Sequence, residues 1–274
     1  MELKEIERSI IKKYRKTLWT RFVRAVSEYK LINDGDSIAI CISGGKDSML
    51  MAKLFQELKH HGKVNFDIKF LVMNPGYNKE NLDLIKKNLD ILGIDAKIYE
   101  SDIFEVSEKL DNEKPCYMCA RMRRGFLYSK AKEIGCNKIA LGHHFDDVIE
   151  TIMLNILYAG EYKTMMPKLK STNFKNMELI RPMYYIKECD IIAWSKFNDL
   201  KFINCACKFT NRSGNEDEGK REEMKNLIKS LKEINDNVDI NILRSSENIN
   251  IDAIIGYKNN KGKVNFLDNY DRFE

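Results

Sequence analysis

The sequence has no long apolar run, and no stretch approaches the ~20 consecutive apolar residues that a membrane helix needs. We therefore expect no membrane span. The first residues, Met1-Glu-Leu-Lys-Glu-Ile6, are charged and lack the apolar region of a secretory signal, so a cytoplasmic protein is expected. The sequence also lacks a strong charge imbalance, since the net charge of +5 permits an RNA partner without requiring one.

The composition fits a folded globular protein. The chain has 274 residues, of which 43% are hydrophobic and 32% charged, which is enough for a full α/β core. The seven cysteines are an odd number. In a chain expected to be cytosolic they argue for metal or reactive chemistry rather than a disulfide framework.

Residues 38–48 hold the most informative motif. Residues 38–42 are an apolar run of the kind found in buried strands, and the motif Ser43-Gly-Gly-Lys-Asp-Ser48 follows. Helical spacing then begins with the apolar residues Met49, Leu50, Met51, Leu54 and Leu58. A strand, a glycine turn and a helix in this order predict an anion site, because backbone N–H groups and the helix dipole converge there. A carboxylate at Asp47 suits such a site only if it holds Mg²⁺ or faces away.

Further strands are predicted at residues 66–73, 96–99 and 138–141, and they alternate with helices. This pattern predicts an α/β fold with a doubly wound, mostly parallel sheet and helical additions. In such sheets ligands bind at the carboxyl ends of the strands. The turns at Ser43, Asn74 and Gly142 are therefore expected to converge on one crevice.

The two ends of the chain are predicted to be additions to this core. Residues 3 to about 30 are predicted to form one amphipathic helix, with a basic face that is either solvated or in contact with phosphates. We divide the chain into this N-terminal segment (1–32), a catalytic domain (33–210) and a C-terminal helix with an irregular tail (211–274). Within the second part, residues 163–175 are predicted to be a loop and 179–186 an edge segment, because Pro182 is poorly tolerated inside a sheet.

The motif Gly142-His-His-Phe-Asp-Asp147 opens a predicted helix. Its histidines and aspartates can bind a metal, transfer protons or cap the helix. Two cysteine pairs, Cys116 with Cys119 and Cys205 with Cys207, suit either a structural Cys₄ zinc site or an iron–sulfur cluster, and a redox pair is less favoured. The other three, Cys41, Cys136 and Cys189, are interpreted as buried small hydrophobes.

The order of these motifs resembles the tRNA 2-thiocytidine synthetase family of the PP-loop ATP pyrophosphatase superfamily, and is similar to the related tRNA 2-thiouridine branch. The resemblance covers roughly residues 20–235. It implies a fold like that of the adenine nucleotide alpha hydrolases, with ATP as substrate. The loop Ser43, Gly44, Gly45, Lys46, Asp47 and Ser48 would then grip the pyrophosphate that leaves ATP.

The resemblance also implies roles for other residues. Backbone groups of Met73 and Asn74, together with Gly142, would contact the nucleotide. Asp147 would be catalytic, and Asp47 is the candidate for holding Mg²⁺. The predicted catalytic residues are therefore Asp47, Arg123 and Asp147, with Arg123 placed by its position four residues after the second cysteine of the C-x-x-C motif.

In that family two cysteines of a C-x-x-C and one late cysteine hold a [4Fe–4S] cluster, which here implies Cys116, Cys119 and Cys207. The late pair is C-x-C rather than the C-x-x-C of the family, so Cys205 is the alternate ligand. The implied reaction adenylates the C2 oxygen of an anticodon-loop cytidine and replaces it with sulfur. Its implied partners are tRNA and a sulfur donor, either a cysteine desulfurase or free sulfide, and a homodimer is possible.

Three alternatives stay open on sequence. One is 2-thiouridine synthesis, although that branch often carries extra cysteine and histidine pairs at its ends, which this chain lacks. Another is a PP-loop ATP pyrophosphatase with a small-molecule substrate and structural zinc. The third is an RNA-binding module without catalysis, against which the intact loop argues.

Overall fold

The computed structural model describes residues 2–62, 64–104, 106, 115–203, 216–268 and 270. Six strands form the central sheet: β1 Ser37–Ile42, β2 Asp67–Asn74, β3 Ala96–Glu100, β4 Lys138–Ala140, β5 Lys168–Lys170 and β6 Glu178–Ile180. Their order is β3-β2-β1-β4-β6-β5, and every neighbouring pair is parallel except β5 with β6. The predicted α/β class with a mostly parallel sheet is confirmed.

Nine α-helices accompany these strands in the described part of the chain: α1 Leu3–Ile11, α2 Thr20–Glu28, α3 Lys46–His61, α4 Lys79–Ile91, α5 Pro115–Glu133, α6 Phe145–Leu154, α7 Glu188–Phe197, α8 Glu216–Ile234 and α9 Val238–Ser245. A π-helical turn, Arg15–Trp19, precedes α2, and another, Asn155–Ala159, follows α6. None of the described helices is long and apolar enough to cross a bilayer.

Strand β1 is covered on both faces, which explains its nearly continuous apolar sequence. Ile38, Ile40 and Ile42 belong to the core cluster that contains α3 and α4, whereas Ala39 and Cys41 belong to the cluster that contains Tyr128 and Ala131 of α5. The alternation follows the two-residue period of a strand. The sheet is thus packed between two helical layers, and its carboxyl edge stays open for a ligand.

The N-terminal segment is two helices rather than the single helix predicted. At 100° per residue, an unbroken helix would turn Phe22 about 160° away from Ile6. The chain instead breaks after α1, and Tyr14 N donates to Ser9 O across five residues (2.9 Å). Both Ile6 and Phe22 are then fully buried. The break that lets both residues be buried was not predicted.

Three further predictions were wrong. The segment at 179–186 was expected at an edge, but β6 lies between β4 and β5, and the edge strand β5 comes from the predicted loop at 163–175. Pro182 is the second residue after the end of β6, so it removes no hydrogen bond from the sheet. The tail, predicted to be irregular, contains a hairpin of β7 Gly256–Asn259 and β8 Gly262–Asn265. The division into domains stays a prediction.

Candidate active site

A cavity of about 400 Å³ lies at the carboxyl edge of the sheet. Its lining comes from the ends of β1, β2 and β4, the starts of α3 and α6, one face of α5, and α8. The lining residues are Cys41, Ile42, Ser43, Asp47, Ser48, Met73, Ala120, Arg123, Arg124, Leu127, Leu141, Gly142, His143, Asp147 and Arg221. The turns after three parallel strands therefore meet in one crevice, as the alternation of strands and helices predicted.

The glycine turn after β1 is held by close packing and by the hydroxyl groups of Ser48 and Tyr77. Gly44 has a φ of +87°, and a Cβ there would lie 2.6 Å from Ile85 Cγ1 and 2.8 Å from Ile203 Cδ1. Ser48 Oγ accepts from Ser43 N (3.1 Å) and donates to Gly45 O (3.0 Å). Since α3 starts directly after Gly45, this packing fixes the turn at a helix N-terminus, where phosphate binding is favoured.

Replacing Gly44 with alanine is expected to destabilise the protein more than the same change at Gly35. Both glycines have positive φ, +87° and +81°, which costs an L-residue about 1–2 kcal/mol. Nothing lies within 4 Å of a Cβ at Gly35, whereas at Gly44 overpacking adds roughly 1–3 kcal/mol. Urea unfolding of both variants measures the difference. Equal losses would mean that contact with Ile85 and Ile203 does not constrain the turn.

Lys46 is held by carboxylates on both sides. Its Nζ lies 3.2 Å from Asp47 Oδ1 and 3.0 Å from Glu188 Oε1 at the start of α7. The other oxygen of Glu188 accepts from Lys225 Nζ of α8 (2.7 Å). Burial alone would raise the pKa of Glu188, but its bonds to Lys225 and Lys46 lower it to about 2. Glu188 is therefore ionised, and it fixes the lysine of the loop.

Two aspartates flank one histidine at the cavity. His144 Nε2 lies 4.0 Å from Asp47 Oδ1, and its Nδ1 lies 3.6 Å from Asp147 Oδ2. Burial raises the pKa of Asp47, and its Oδ1 has no hydrogen-bond partner among the described residues. Burial also acts to raise the pKa of Asp147, but the neighbouring His144 and His143 outweigh burial, so the pKa of Asp147 is lowered. The arrangement offers anionic oxygens to a divalent cation.

The aspartates after His144 also cap helices, as one of the sequence alternatives stated. Asp147 Oδ2 accepts from His144 N (3.0 Å) in a capping box at the start of α6. Asp146 Oδ2 accepts from Glu188 N (2.7 Å) and so caps α7 instead. Asp147 keeps a second oxygen for the cavity, where Arg221 Nη1 donates to it (3.2 Å). Capping and a role in the cavity are therefore compatible at Asp147.

Helix α5 presents cationic groups to the cavity. Ala120, Arg123, Arg124 and Leu127 line it at the i, i+3, i+4 and i+7 spacing of one helix face. Cys119, one residue before Ala120, is buried in a cluster with Met73, Ile103 and Phe104. Because Met73 also lines the cavity, Cys119 at the end of the C-x-x-C segment lies next to the cavity wall.

Most of the predicted metal ligands lie outside what the structure describes. The side chain of Cys116 and the whole of Cys205 and Cys207 fall outside the described residues. Within residues whose side chains are described, no group of three or more histidine, cysteine, aspartate or glutamate side chains is arranged for a metal. The cluster ligand set therefore stays a prediction. Of the other cysteines, Cys41 and Cys136 are buried as predicted, whereas Cys189 is exposed.

Comparison with known proteins places the chain among relatives with this architecture. The family model of the PP-loop domain matches residues 17–214. A tRNA-cytidine(32) 2-sulfurtransferase of Tolumonas auensis is 38% identical over 221 residues, covering 79% of this chain and 70% of that protein. The enzyme of the same name from Syntrophotalea carbinolica is 37% identical over 225 residues, covering 81% and 83%. The chain belongs to the tRNA-cytidine(32) 2-sulfurtransferase family.

A solved structure shows the same fold. The U34-tRNA thiolase NcsA from Methanococcus maripaludis, determined with its [4Fe–4S] cluster, superposes with a TM-score of 0.65 at 24% identity. The match covers 83% of this chain and 76% of that one. Membership of the predicted sulfurtransferase family and the predicted PP-loop fold are thus confirmed.

Within this family framework, the structure brings most predicted site residues to one place. Ser43, Asp47, Ser48, Met73, Arg123, Gly142 and Asp147 line the cavity, while Gly44, Gly45 and Lys46 form the turn beside it. Asn74 does not line it. The Asn74 side chain instead holds the turn after β2, accepting from Tyr77 N (2.8 Å) and donating to Glu100 Oε2 (2.6 Å). The chemical roles assigned to all of these residues remain predictions.

Three charged residues at or near the site were not predicted from the sequence. Arg221 and Glu188 reach the site from parts of the chain where no motif marks them. Arg181 follows β6 directly, and is therefore at the same edge of the sheet as Ser43 after β1. A charged residue directly after a strand could have been predicted to lie near the site. Arg181 was overlooked because residues 179–186 were interpreted as an edge segment.

Glu150 of α6 is expected to make stability fall with rising pH. Burial, followed by the charge of Asp147, raises its pKa to about 7. Because the folded-state pKa exceeds the unfolded value, ionising Glu150 penalises the folded protein as the pH rises through that range. Glu150→Gln removes this penalty, so its stability relative to wild type is expected to rise by roughly 2 kcal/mol between pH 5.5 and 8. Urea unfolding at several pH values tests this. The exposed Glu222→Gln serves as control, and parallel profiles for Glu150→Gln and wild type would contradict the expectation.

Proposed function

We propose that this chain is an ATP-dependent tRNA sulfurtransferase that converts a cytidine of the anticodon loop into 2-thiocytidine. One observation carries the proposal: the PP-loop, two partly buried aspartates and the helix of the C-x-x-C motif border a single cavity. An activated nucleotide and a sulfur source can therefore meet without a diffusible intermediate. The substrate class follows that of the named relatives, whose sequences cover most of this chain.

The first half-reaction makes the C2 oxygen a leaving group. The C2 oxygen of cytosine attacks the α-phosphorus of ATP, an O–P bond forms, and the bond to the β-phosphate oxygen breaks to release pyrophosphate. Backbone N–H groups at the start of α3 and the charge of Lys46 stabilise the departing anion. Glu188 holds Lys46 in place before ATP arrives.

The site fits Mg²⁺, which was predicted as a cofactor. Asp47 Oδ1 is buried, lies 3.2 Å from Lys46 Nζ and accepts no hydrogen bond among the described residues, so it is a ligand of the kind that Mg²⁺ prefers. Asp147 is the second carboxylate at the same cavity. When bound, the ion neutralises charge on the phosphates. Its removal with a chelator is expected to stop pyrophosphate release.

The second half-reaction replaces oxygen with sulfur. A sulfur nucleophile attacks C2 of the adenylated cytosine, a C–S bond forms, and the C–O bond breaks to release AMP. The buried thiol of Cys119, shielded by Met73 and Phe104, suits the ligation of a [4Fe–4S] cluster, which when bound would carry the sulfur that the donor provides. We propose Cys116, Cys119 and Cys207 as ligands, with Cys205 as alternate.

The partners of the reaction are proposed on chemical grounds. Exposed Lys12, Lys13, Arg15 and Lys16 near the N-terminus form a basic surface for tRNA phosphates, so binding should weaken as salt increases. The sulfur comes from free sulfide, or from a cysteine desulfurase together with a two-electron reductant, such as a thiol pair, that converts its persulfide sulfur to sulfide. A homodimer and a cytoplasmic location complete the proposal.

Expression in a host that lacks its own 2-thiocytidine enzyme tests the function. Nucleosides of the purified tRNA are separated and identified by mass spectrometry. We expect 2-thiocytidine in cells with the wild-type chain and none in cells with Lys46→Ala. Appearance of 2-thiouridine instead would select the uridine branch. Absence of any new thiolated nucleoside, with folded and iron-containing protein, would contradict the proposal.

A further inference from the structure

A buried guanidinium group lies near Arg124 and Asp147, two residues that line the cavity, and part of its hydrogen-bonding capacity is unused. Arg181, directly after β6, is only 5% exposed. Its backbone N donates to Pro167 O (2.9 Å), and its Nη1 donates to Met166 O. Its Nε has no hydrogen-bond partner among the residues that the structure describes. Burying a charged group in this way destabilises the folded protein unless an oppositely charged or hydrogen-bonding partner compensates for the lost contact with water.

Arg181 has one cationic neighbour, Arg124, and one anionic neighbour, Asp147. Burial and the neighbouring Arg124 lower the pKa of Arg181 to about 10, so it is charged at neutral pH. Burial, with Arg181 as the next cause, lowers the pKa of His143 to about 4, which leaves that imidazole neutral. Asp147 forms its ion pair with Arg221. Among the described residues, no ion pair at the cavity includes Arg123, Arg124 or Arg181.

This cationic group is separate from the glycine turn after β1. The turn leads into α3, and Lys46 pairs with Glu188 at the start of α7. Arg124 instead belongs to α5, and Arg181 follows β6. A nucleotide whose pyrophosphate occupies the turn leaves the arginines free for another anion. Planar guanidinium groups bind phosphate oxygens with paired, charge-assisted hydrogen bonds.

We propose that Arg124 and Arg181 form a second phosphate site in the cavity, distinct from the pyrophosphate site of the loop. Its ligand is a phosphate ester. Either the α-phosphate of ATP or a backbone phosphate beside the target nucleotide supplies it, and the second source rests on the proposed function. Arg124 meets the phosphate at the cavity wall. Arg181, buried behind that wall, contributes its positive charge and the N–H group of its Nε.

The test measures binding by the intact, anaerobically purified protein, with two probes: ATP, and an unmodified anticodon stem-loop RNA. Arg124→Gln and Arg181→Met are compared with wild type, and Arg244→Gln on α9 is the control for a lost surface charge. If the ligand is the α-phosphate, both cavity variants are expected to bind ATP about 10- to 100-fold more weakly. If it is a backbone phosphate, the same loss is expected for the stem-loop.

Stem-loops in which a single backbone phosphate is replaced by an uncharged methylphosphonate identify the RNA position. One such replacement is expected to weaken wild-type binding but not the binding of Arg124→Gln. Because the buried Arg181→Met can impair folding, Arg124→Gln decides the outcome alone if the other variant melts early. Unchanged affinity of folded Arg124→Gln for both probes would overturn the proposal. Neither probe requires turnover, so a chain that bound them normally but thiolated no cytidine would refute the proposed function separately.

Discussion

Exchanging Asp47 for asparagine is expected to reduce thiolation by at least about 100-fold, since a metal-binding carboxylate contributes several kcal/mol to the transition state. The substitution keeps the size of the side chain and removes its charge. Asp47 lies beside Lys46, yet its Oδ1 is buried with no hydrogen-bond partner among the described residues. A carboxylate in that position repels phosphates unless a cation lies between them. Single-turnover thiolation at increasing Mg²⁺ concentrations measures the effect.

The metal dependence separates this role from a structural one. The variant is expected to need much more Mg²⁺ than wild type for half-maximal rate. Asp146→Asn is the matched control, because the Asp146 carboxylate caps α7 through Glu188 N. Because asparagine caps a helix about as well as aspartate, this variant should keep near wild-type stability, and its Mg²⁺ dependence should stay close to that of wild type. A wild-type rate for Asp47→Asn at all Mg²⁺ concentrations would remove Asp47 from the metal site.

Serine in place of Cys116, Cys119 or Cys207 is expected to abolish thiolation and to lower the iron content of anaerobically purified protein. Loss of one thiolate from a cluster held by three leaves too few ligands to retain it. Cys205→Ser is expected to keep iron, because we assign that residue as the alternate. Iron, sulfide and zinc analysis of each variant measures the outcome, together with a 2-thiocytidine assay.

Cys189→Ser is the control for these variants, because Cys189 is exposed and is assigned no ligand role. Cys119 is buried among apolar side chains, so its replacement also costs stability. Melting curves of Cys119→Ser and Cys119→Ala distinguish a folded protein without iron from an unfolded one. Zinc in the wild-type protein, with full activity and no iron, would instead support the structural Cys₄ site.

The sequence predicted the core of the site because its signals there are local. Strand, glycine turn and helix follow one another within residues 38–58, and short-range periodicity and turn chemistry determine all three. The same holds for Gly142 and Asp147 after β4. Since parallel strands share one carboxyl edge, finding the strands was enough to predict that these turns converge.

The parts that were missed depend on contacts between distant segments. Glu188 meets Lys46 across 142 positions, and Arg221 meets Asp147 across 74. No local pattern marks either residue as a partner. The position of β6 inside the sheet likewise depends on β5, a three-residue strand with too little sequence for a periodic signal. Arg181 was overlooked for that reason, although it follows a strand end like the residues that were found.

The most direct test of the account follows the oxygen atom that leaves C2. A stem-loop RNA carrying ¹⁸O at C2 of the target cytidine is incubated anaerobically with the protein, ATP, Mg²⁺ and sulfide. The AMP and the RNA are then analysed by mass spectrometry. If adenylation of that oxygen precedes sulfur transfer, one ¹⁸O is expected in AMP for each 2-thiocytidine formed. Formation of 2-thiocytidine with unlabelled AMP would contradict activation of the base by ATP in this cavity.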